Sequence, residues 1–275
     1  MSKISVYTMT TNSIENEFTT IEGIKSALLF ADEVVVLDGG SSDNTLEKVR
    51  EIGDPRVKIY QNKWLHSLGK AMYAIQKSLA LGYCTGDWCV LMDADEVYHE
   101  EDAKVIKRLP DVVASNIVAI KFNTLHFYKS FEYVLNGCPD WKDLYTDKIY
   151  MVRNDWGIHH GAVEYDPDMH VDNNGKLIPE EDTILVNVRV FHYGHVRTKK
   201  VYIDKYNRIE RAFHGKEYKD MTAEEFKMLE ESKLTSYEGT HPKVMEDRIA
   251  AGLDHEEIMK LYNYDEGDAD AGAGI

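Results

Sequence analysis

The stretch Glu33–Thr45, EVVVLDGGSSDNT, decides how the chain is to be read. Val34, Val35, Val36 and Leu37 form an apolar run without polar alternation, the pattern of a strand covered on both faces. Asp38 ends the run. Two glycines then permit a tight turn, and Asp43 or Ser42 is placed to cap a helix over NTLEKVREI. By itself this is a strand, a turn and a helix. In open α/β sheets, however, ligands gather at the carboxyl ends of strands, where Asp38 lies.

Similar units flank it. ISVYTM, VKIYQN and WCVLMD read as short strands, separated by helical spacing in EGIKSALLFA and LGKAMYAIQKSLALG. This alternation predicts an α/β fold, with a mixed, mostly parallel sheet flanked by helices. After Pro110, IVAIKFNTLHFY, KIYMVRN and ILVNVRVFHYG read as longer strands that extend the sheet with antiparallel or mixed pairing. From Lys199 the pattern is helical, in KKVYIDKYNRIERAF, TAEEFKMLEES, HPKVMEDRIAAG and HEEIMKLY. The expected organisation is a core over residues 1–198, a helical extension packed on it over 199–264, and a disordered tail over 265–275.

At 275 residues, with 43% hydrophobic side chains, the chain is long enough for a sizeable core. Its 48 acidic residues outnumber 32 basic ones, for a formal charge of −16, which disfavours nucleic acid as a partner without excluding a local basic groove. Cys84, Cys89 and Cys138 are too few and too irregular for a disulfide framework or a four-cysteine zinc site. Reduced thiols and a cytoplasmic location are expected, peripheral to a membrane if a surface helix tethers the chain. No window approaches a transmembrane span.

A second stretch, Cys89–Asp102 (CVLMDADEVYHEED), runs from a buried-strand pattern into six acids without a Lys or Arg among them. Asp93 and Asp95 are two apart, so in extended backbone both face one way, and a bend after the strand aims both at a single cation. Carboxylate oxygens suit Mg²⁺ or Mn²⁺. An EF-hand loop is excluded by Val97 and Tyr98, and Glu100–Asp102 read as the solvated first turn of a helix over EEDAKVIKRL. Thr8 to Asn12, including Thr10, fall at the end of the first strand, so three strand ends converge. The chain has neither G-x-x-x-x-G-K-[ST] nor a G-x-G-x-x-G after its first strand, which removes the common NTPase and dinucleotide readings. His159, His160, His192 and His195 cluster in strand-like segments and read as hydrogen-bonded core residues, with one of them completing the cation site that Asp95 begins.

Taken in order, ISVYTMTTNSIE, EVVVLDGGSSDNT and LGKAMYAIQKSLALGYCTGDWCVLMDADE resemble the N-terminal half of the family 2 glycosyltransferases, which have the Rossmann-like GT-A fold. The DADE form, with VFHYGHVRTKKVYIDKYNRIERAF and GTHPKVMEDRI, is similar to the subgroup that includes lipopolysaccharide-core glucosyltransferases. The resemblance implies that Asp38, with Gly39 beside it, serves the nucleotide base. It also implies that Asp93, Ala94 and Asp95 carry the D-x-D motif, which holds a divalent cation and the donor diphosphate. His192 is the implied C-terminal metal ligand, with His195 second. Glu164 is the implied base, with Asp166 and Asp140 as rivals. Lys70 and Arg197 are candidates to add positive charge near the phosphates, with solvated surface as the plain alternative.

The activity so implied is metal-dependent, inverting transfer of a sugar from a nucleotide-diphosphate sugar, UDP-sugar favoured, to a saccharide or other hydroxyl acceptor, with Mn²⁺ or Mg²⁺ as cofactor. A non-catalytic sugar- or nucleotide-binding module and a nucleotidyltransferase are the alternatives. Aromatic residues Trp141, Trp156, His159 and Tyr193 are candidates to face the acceptor, core packing being the alternative for each.

Overall fold

The computed structural model describes residues 2–136, 147–161, 165–215 and 218–264. Four strands, β1 (Ile4–Thr10), β2 (Glu33–Asp38), β3 (Val57–Gln61) and β4 (Trp88–Leu91), pair in parallel in the order β3-β2-β1-β4. They are connected by α1 (Thr20–Ala27), α2 (Thr45–Glu51) and α3 (Ala71–Gly82). Val34 to Leu37 are fully buried, as an apolar run without alternation requires. Truncating Leu37 to Ala there would cost about 2–5 kcal/mol.

Beyond β4 the chain turns back as β5 (Glu96–Tyr98), then forms α4 (Glu100–Ile106) and α5 (Leu109–Val112). The longer strands follow: β6 (Ala119–Tyr128), β7 (Tyr133–Val134), β8 (Asp147–Arg153), the short pair β9 (His159–His160) and β10 (His170–Val171), and β11 (Thr183–His195). β8 lies between β4 and β6, antiparallel to both, whereas β11 runs parallel to β6 and antiparallel to β5. The expected mixed, mostly parallel α/β sheet is what forms. The ends of β1, β2, β4, β6 and β11 all point to one edge, so the strand-end acids and the histidines of β11 share it.

The C-terminal part consists of α6 (Lys199–His214), β12 (Thr235–Ser236), α7 (Glu246–Ala251) and α8 (His255–Leu261). It packs on the sheet: Ile258 and Met259 join the main core, the Tyr262 hydroxyl donates to Glu22 Oε1 at 2.5 Å, and Arg248 donates to the Glu17 carbonyl at 2.7 Å.

Three local expectations need correction. The helix over TAEEFKMLEES does not form: Thr222 and Glu225 close one hydrogen-bonded turn, Phe226 rests on Tyr202 with ring centroids 4.9 Å apart, and none of residues 222–232 is buried. Without an apolar stripe to bury, one turn does not propagate. Asn44, not Asp43 or Ser42, precedes α2; the Asp43 carboxylate accepts instead from the backbone N–H groups of Ile14, Glu15 and Thr45. Asp102 is not solvated. It is buried and accepts from Arg189 Nε at 2.9 Å.

Candidate functional site

The turn after β4 separates the two acids of the DAD stretch. Glu96 N–H donates to the Asp93 carbonyl (3.0 Å), and Asp93 N–H donates to Glu96 Oε2 (2.8 Å), closing the backbone on itself. Asp93 consequently faces Lys77 of α3 and Lys148 of β8, each with Nζ 2.8 Å from one carboxylate oxygen. Lys148 also contacts Glu96 Oε1 at 2.9 Å, and Asp168 pairs with Lys77. Asp95 faces a different set. Its Oδ2 accepts from Arg197 Nη2 (2.9 Å) and Lys205 Nζ (2.8 Å), while Oδ1 stands 3.6 Å from His192 Nε2.

Charge follows this geometry. Burial alone raises the Asp95 carboxyl, but the cations of Lys205 and Arg197 outweigh it and hold it well below the usual range. Asp93 is lowered likewise, with Lys148 and Lys77 overcoming burial. Burial pushes Glu96 up to about 7 against the opposing charge of Lys148. Burial and the neighbouring Arg197 bring Lys205 down to about 8 despite Asp95. Burial also lowers His192 well below its ordinary value and His195 to about 3, so both imidazoles are neutral at neutral pH, the form that ligates metals.

Two cavities flank the turn, and Asp93 lines both. One, of about 180 Å³, is bounded by Thr10, Thr11, Phe18, Trp64, Tyr73, Ala94, Asp95, Lys205 and Arg208. The other, of about 290 Å³, is bounded by Glu96, Thr124, His126, Lys148, Tyr150, Asp166, Asp168 and His192. Gly194 packs directly against the Asp95–His192 pair, where a side chain would not fit. A Cβ there would stand inside contact distance of His192 Nε2 and 2.7 Å from Asp95 Oδ2. A neutral imidazole and an ionised carboxylate 3.6 Å apart are donors that suit a divalent cation. Gly39 serves a close approach as well, because the Trp64 indole lies where its Cβ would be.

The structure thus brings Asp95 and His192 together and turns Asp93 toward two lysines. Asp38 is fully buried and accepts from Gly40 N–H, Ser41 N–H and the Ser41 hydroxyl. Thr10 is bonded to Ser13, Thr8 has a buried hydroxyl without a partner among the described residues, and the Asn12 side chain bridges to Glu15 and Ser42. Ala94 accepts from the Thr20 hydroxyl through its carbonyl at 3.0 Å. Lys70 immediately precedes α3 and is half-buried. Arg197 is buried, not solvated. Asp166 is exposed at the rim of the larger cavity, whereas Glu164, Asp140 and Trp141 lie outside the described residues. His195 adjoins His192, with ring centroids 5.3 Å apart.

Tyr193 is core, stacked on Phe127 at 4.9 Å. Trp156 lies just past Arg153, which pairs with Trp88 at the start of β4, so it sits at the edge remote from the acids. His159 lies on β9, whose next residue, His160, donates its N–H to Ser78 of α3.

Sequence reasoning passed over Lys77, Lys148, Asp168, Lys205, Arg208 and His126. A signal existed for the first two. Lys77 falls on the apolar face of α3, and Lys148 shares the inward alternation of β8 with Tyr150 and Val152, where a lysine demands an acid partner.

A mixed, mostly parallel sheet with charged and imidazole groups gathered at its strand ends defines the class: an α/β protein whose candidate site lies at the carboxyl edge of the sheet. The model of glycosyl transferase family 2 matches residues 5–163, more than half of the chain, and the chain belongs to that family. Glycosyltransferase RP128 of Rickettsia prowazekii is 32% identical over 201 residues, covering 70% of this chain and 61% of the relative. The SPbeta prophage-derived glycosyltransferase SunS of Bacillus subtilis is 25% identical over 166 residues, covering 60% and 34%. The chain spans between about a third and three-fifths of the length of the first curated relatives it matches.

Among solved structures, the chain is similar to glucosyl-3-phosphoglycerate synthase from Mycobacterium tuberculosis, in complex with Mn²⁺, uridine diphosphate and glucosyl-3-phosphoglycerate. That match has 19% identity and a TM-score of 0.44, covering 70% of this chain and 72% of that one. It is also similar to residues 1–349 of S. aureus TarS in complex with UDP, at 18% identity and a TM-score of 0.43, covering 79% and 67%. Among the described residues, no helix is long and apolar enough to cross a membrane.

Proposed function

We propose that the protein transfers a sugar from a nucleotide-diphosphate sugar, UDP-sugar favoured, to a hydroxyl acceptor, with dependence on a divalent cation and inversion at the anomeric carbon. The observation that carries this reading is the Asp93–Glu96 turn, standing between a smaller cavity with Lys205 and Arg208 in its wall and a larger one with acids at its rim. The smaller cavity takes the donor. Lys205 and Arg208 face its diphosphate, and Trp64, seated on Gly39, walls the base end; Asp38 contributes by organising the turn beneath it.

A divalent cation held at the Asp95–His192 pair would neutralise charge developing on the leaving diphosphate. The larger cavity takes the acceptor, whose hydroxyl loses its proton to a carboxylate, Glu164 by the family resemblance, with Asp166, which lines the cavity, and Asp140 as rivals. Transfer proceeds as a single displacement: the acceptor oxygen bonds to the anomeric carbon as that carbon's bond to the diphosphate breaks, which inverts it. A saccharide acceptor of the lipopolysaccharide-core kind accords with the DADE tetrad and with the acids, histidines and Tyr150 that line this cavity.

The test is UDP binding with and without Mn²⁺, by calorimetry and thermal shift, on the wild type and Asp95→Ala. At a hundredfold excess over its dissociation constant, UDP should contribute about 2.7 kcal/mol to wild-type stability only when Mn²⁺ is present, and nothing in the variant. Undiminished metal-dependent binding by Asp95→Ala would remove the reading. Incubation with UDP-sugars and saccharide acceptors, read by NMR, then separates an inverted product from a retained one, and either from binding without turnover.

A further inference from the structure

The turn after β1 is tied to the C-terminal part through Glu17. This residue is 2% exposed and holds a left-handed backbone, with φ +52°, which strains a residue other than glycine and persists only where its surroundings fix it. Its carboxylate does the fixing. Oε2 accepts from the Thr198 N–H at 2.8 Å, and Oε1 from the Thr198 hydroxyl at 2.7 Å and from His255 Nδ1 at 2.6 Å. With Arg248 on its carbonyl, Glu17 touches the start of α6, the body of α7 and the start of α8.

Thr198 immediately precedes α6, whose start lacks the usual compensation. In a capping box, a Glu or Gln at the third helical position accepts from the N–H of the residue before the helix. In α6 that position is the buried Val201, and the first turn carries Lys199 and Lys200 without an acid. The Thr198 hydroxyl makes no bond to its own helix either. Glu17 supplies both the missing acceptor and the missing acid from 181 residues away.

The same turn borders the smaller cavity. Phe18 lines it, with Lys205 Nζ 5.5 Å from the ring centroid, and Asn16 Oδ1 accepts from Arg208 Nη2 at 2.9 Å. Lys205 and Arg208 stand about two and three turns beyond Thr198 on α6. A shift or fraying at the start of this helix therefore moves the cations in the wall of the smaller cavity. The larger cavity has no lining residue on α6 and is left as it is.

We propose that Glu17 is a positioning residue of the smaller cavity: by holding the start of α6 from the turn after β1, it sets where Lys205 and Arg208 stand. The inference rests on the reading of that cavity as the donor site, and adds the residue that fixes its diphosphate end.

The first measurement needs no ligand. Hydrogen exchange in Glu17→Ala should speed the Tyr202 N–H, which bonds the Thr198 carbonyl, by about tenfold or more, the loss of one charged hydrogen bond, and leave the amides of β1 and β4 unchanged. Unchanged exchange at Tyr202 overturns the proposal. The second measurement compares UDP, in the presence of Mn²⁺, with uridine, which lacks the diphosphate. Glu17→Ala should weaken UDP by about tenfold or more and uridine not at all, and Glu17→Gln, which keeps an oxygen for the Thr198 N–H, should recover most of the loss. Equal losses of UDP and uridine mark general damage to the fold and overturn the proposal, as does undiminished UDP binding.

Thr198→Val is the milder variant should Glu17→Ala fail to fold, because it removes only the hydroxyl that donates to Glu17. It should weaken UDP and not uridine, and its loss should be less than additive with that of Glu17→Gln; strict additivity means that the two residues act independently, and overturns the proposal. A wild type that binds neither UDP nor uridine defeats the transfer reading, while exchange at Tyr202 still decides whether Glu17 holds α6.

Discussion

Asp93 and Asp95 are two residues apart, but they belong to different parts of the molecule. Asp93 is held by Lys77 and Lys148, from α3 and β8, all within the stretch that matches the family model. Asp95 is held by Arg197 and Lys205, which lie beyond that stretch, after β11 and on α6. Alternation by two places side chains on one face only while the backbone is extended. Here the hydrogen-bonded turn from Asp93 to Glu96 rotates one acid into the sheet's own charge network and the other toward the C-terminal helix. The first cluster is framework for the second, which keeps a neutral imidazole beside its carboxylate.

This contrast breaks most sharply at Asp93. Asp93→Ala takes from Lys77 and Lys148, whose side chains are 5% and 6% exposed, one of the carboxylates they share, leaving Asp168 for both and Glu96 for Lys148, and should cost about 3 kcal/mol in urea denaturation, the lower end for a broken buried pair. Asp95→Ala should cost less, near the about 1.5–3 kcal/mol of a lost charged hydrogen bond. Arg197 and Lys205 both keep the Gly194 carbonyl as a partner, at 3.0 and 3.2 Å. Equal losses in the two variants would mean that the clusters are one network.

Acidity separates the clusters further. Glu96 is 1% exposed and raised from 4.5 to about 7, so between those values the folded state binds more protons than the unfolded chain, and stability falls as pH rises. The full shift amounts to about 3 kcal/mol. Asp93 and Asp168 are shifted the other way: their contribution is present above the ordinary carboxylate range and is lost on acidification below it. Glu96→Gln should therefore gain on the wild type at pH 8 relative to pH 5 by up to about 3 kcal/mol. Urea midpoints for both proteins at the two pH values check this; a difference that does not change with pH would show that Glu96 is already ionised at pH 5.

Much of the frame was legible because it depends on local patterns. Val34–Leu37 could only be a doubly covered strand, and the acids following two such strands had to meet at one edge. The pairing of those acids was not legible, since Lys148 and Lys205 lie 55 and 110 residues from their partners and only the fold brings them in. The missing helix over 222–232 had helical propensity, but no buried face to convert propensity into stability. Asp102 looked solvated because Arg189, its partner, lies 87 residues away on β11. His126 carried no sign in its own strand. Its place beside His192 depends on the parallel register of β6 and β11.

The smallest effect on stability falls at the larger cavity's rim, where Asp166 and Asp168 repeat the contrast at the same two-residue spacing. Asp168 pairs with Lys77 and lies 3.6 Å from Lys148, and these two cations hold its carboxyl low against burial, which makes it a poor proton acceptor. Asp166 is exposed, lines the same cavity, and accepts from the Asp168 N–H at 2.9 Å, a bond that an amide oxygen can also accept. Asp166→Asn should thus change stability by no more than about 0.5 kcal/mol. If Asp166 takes the acceptor's proton, the same change cuts turnover at least about a hundredfold while leaving UDP and metal affinity intact. Full turnover in Asp166→Asn, with loss in Glu164→Gln or Asp140→Asn, would assign the proton to that rival carboxylate and leave Asp166 as part of the cavity wall.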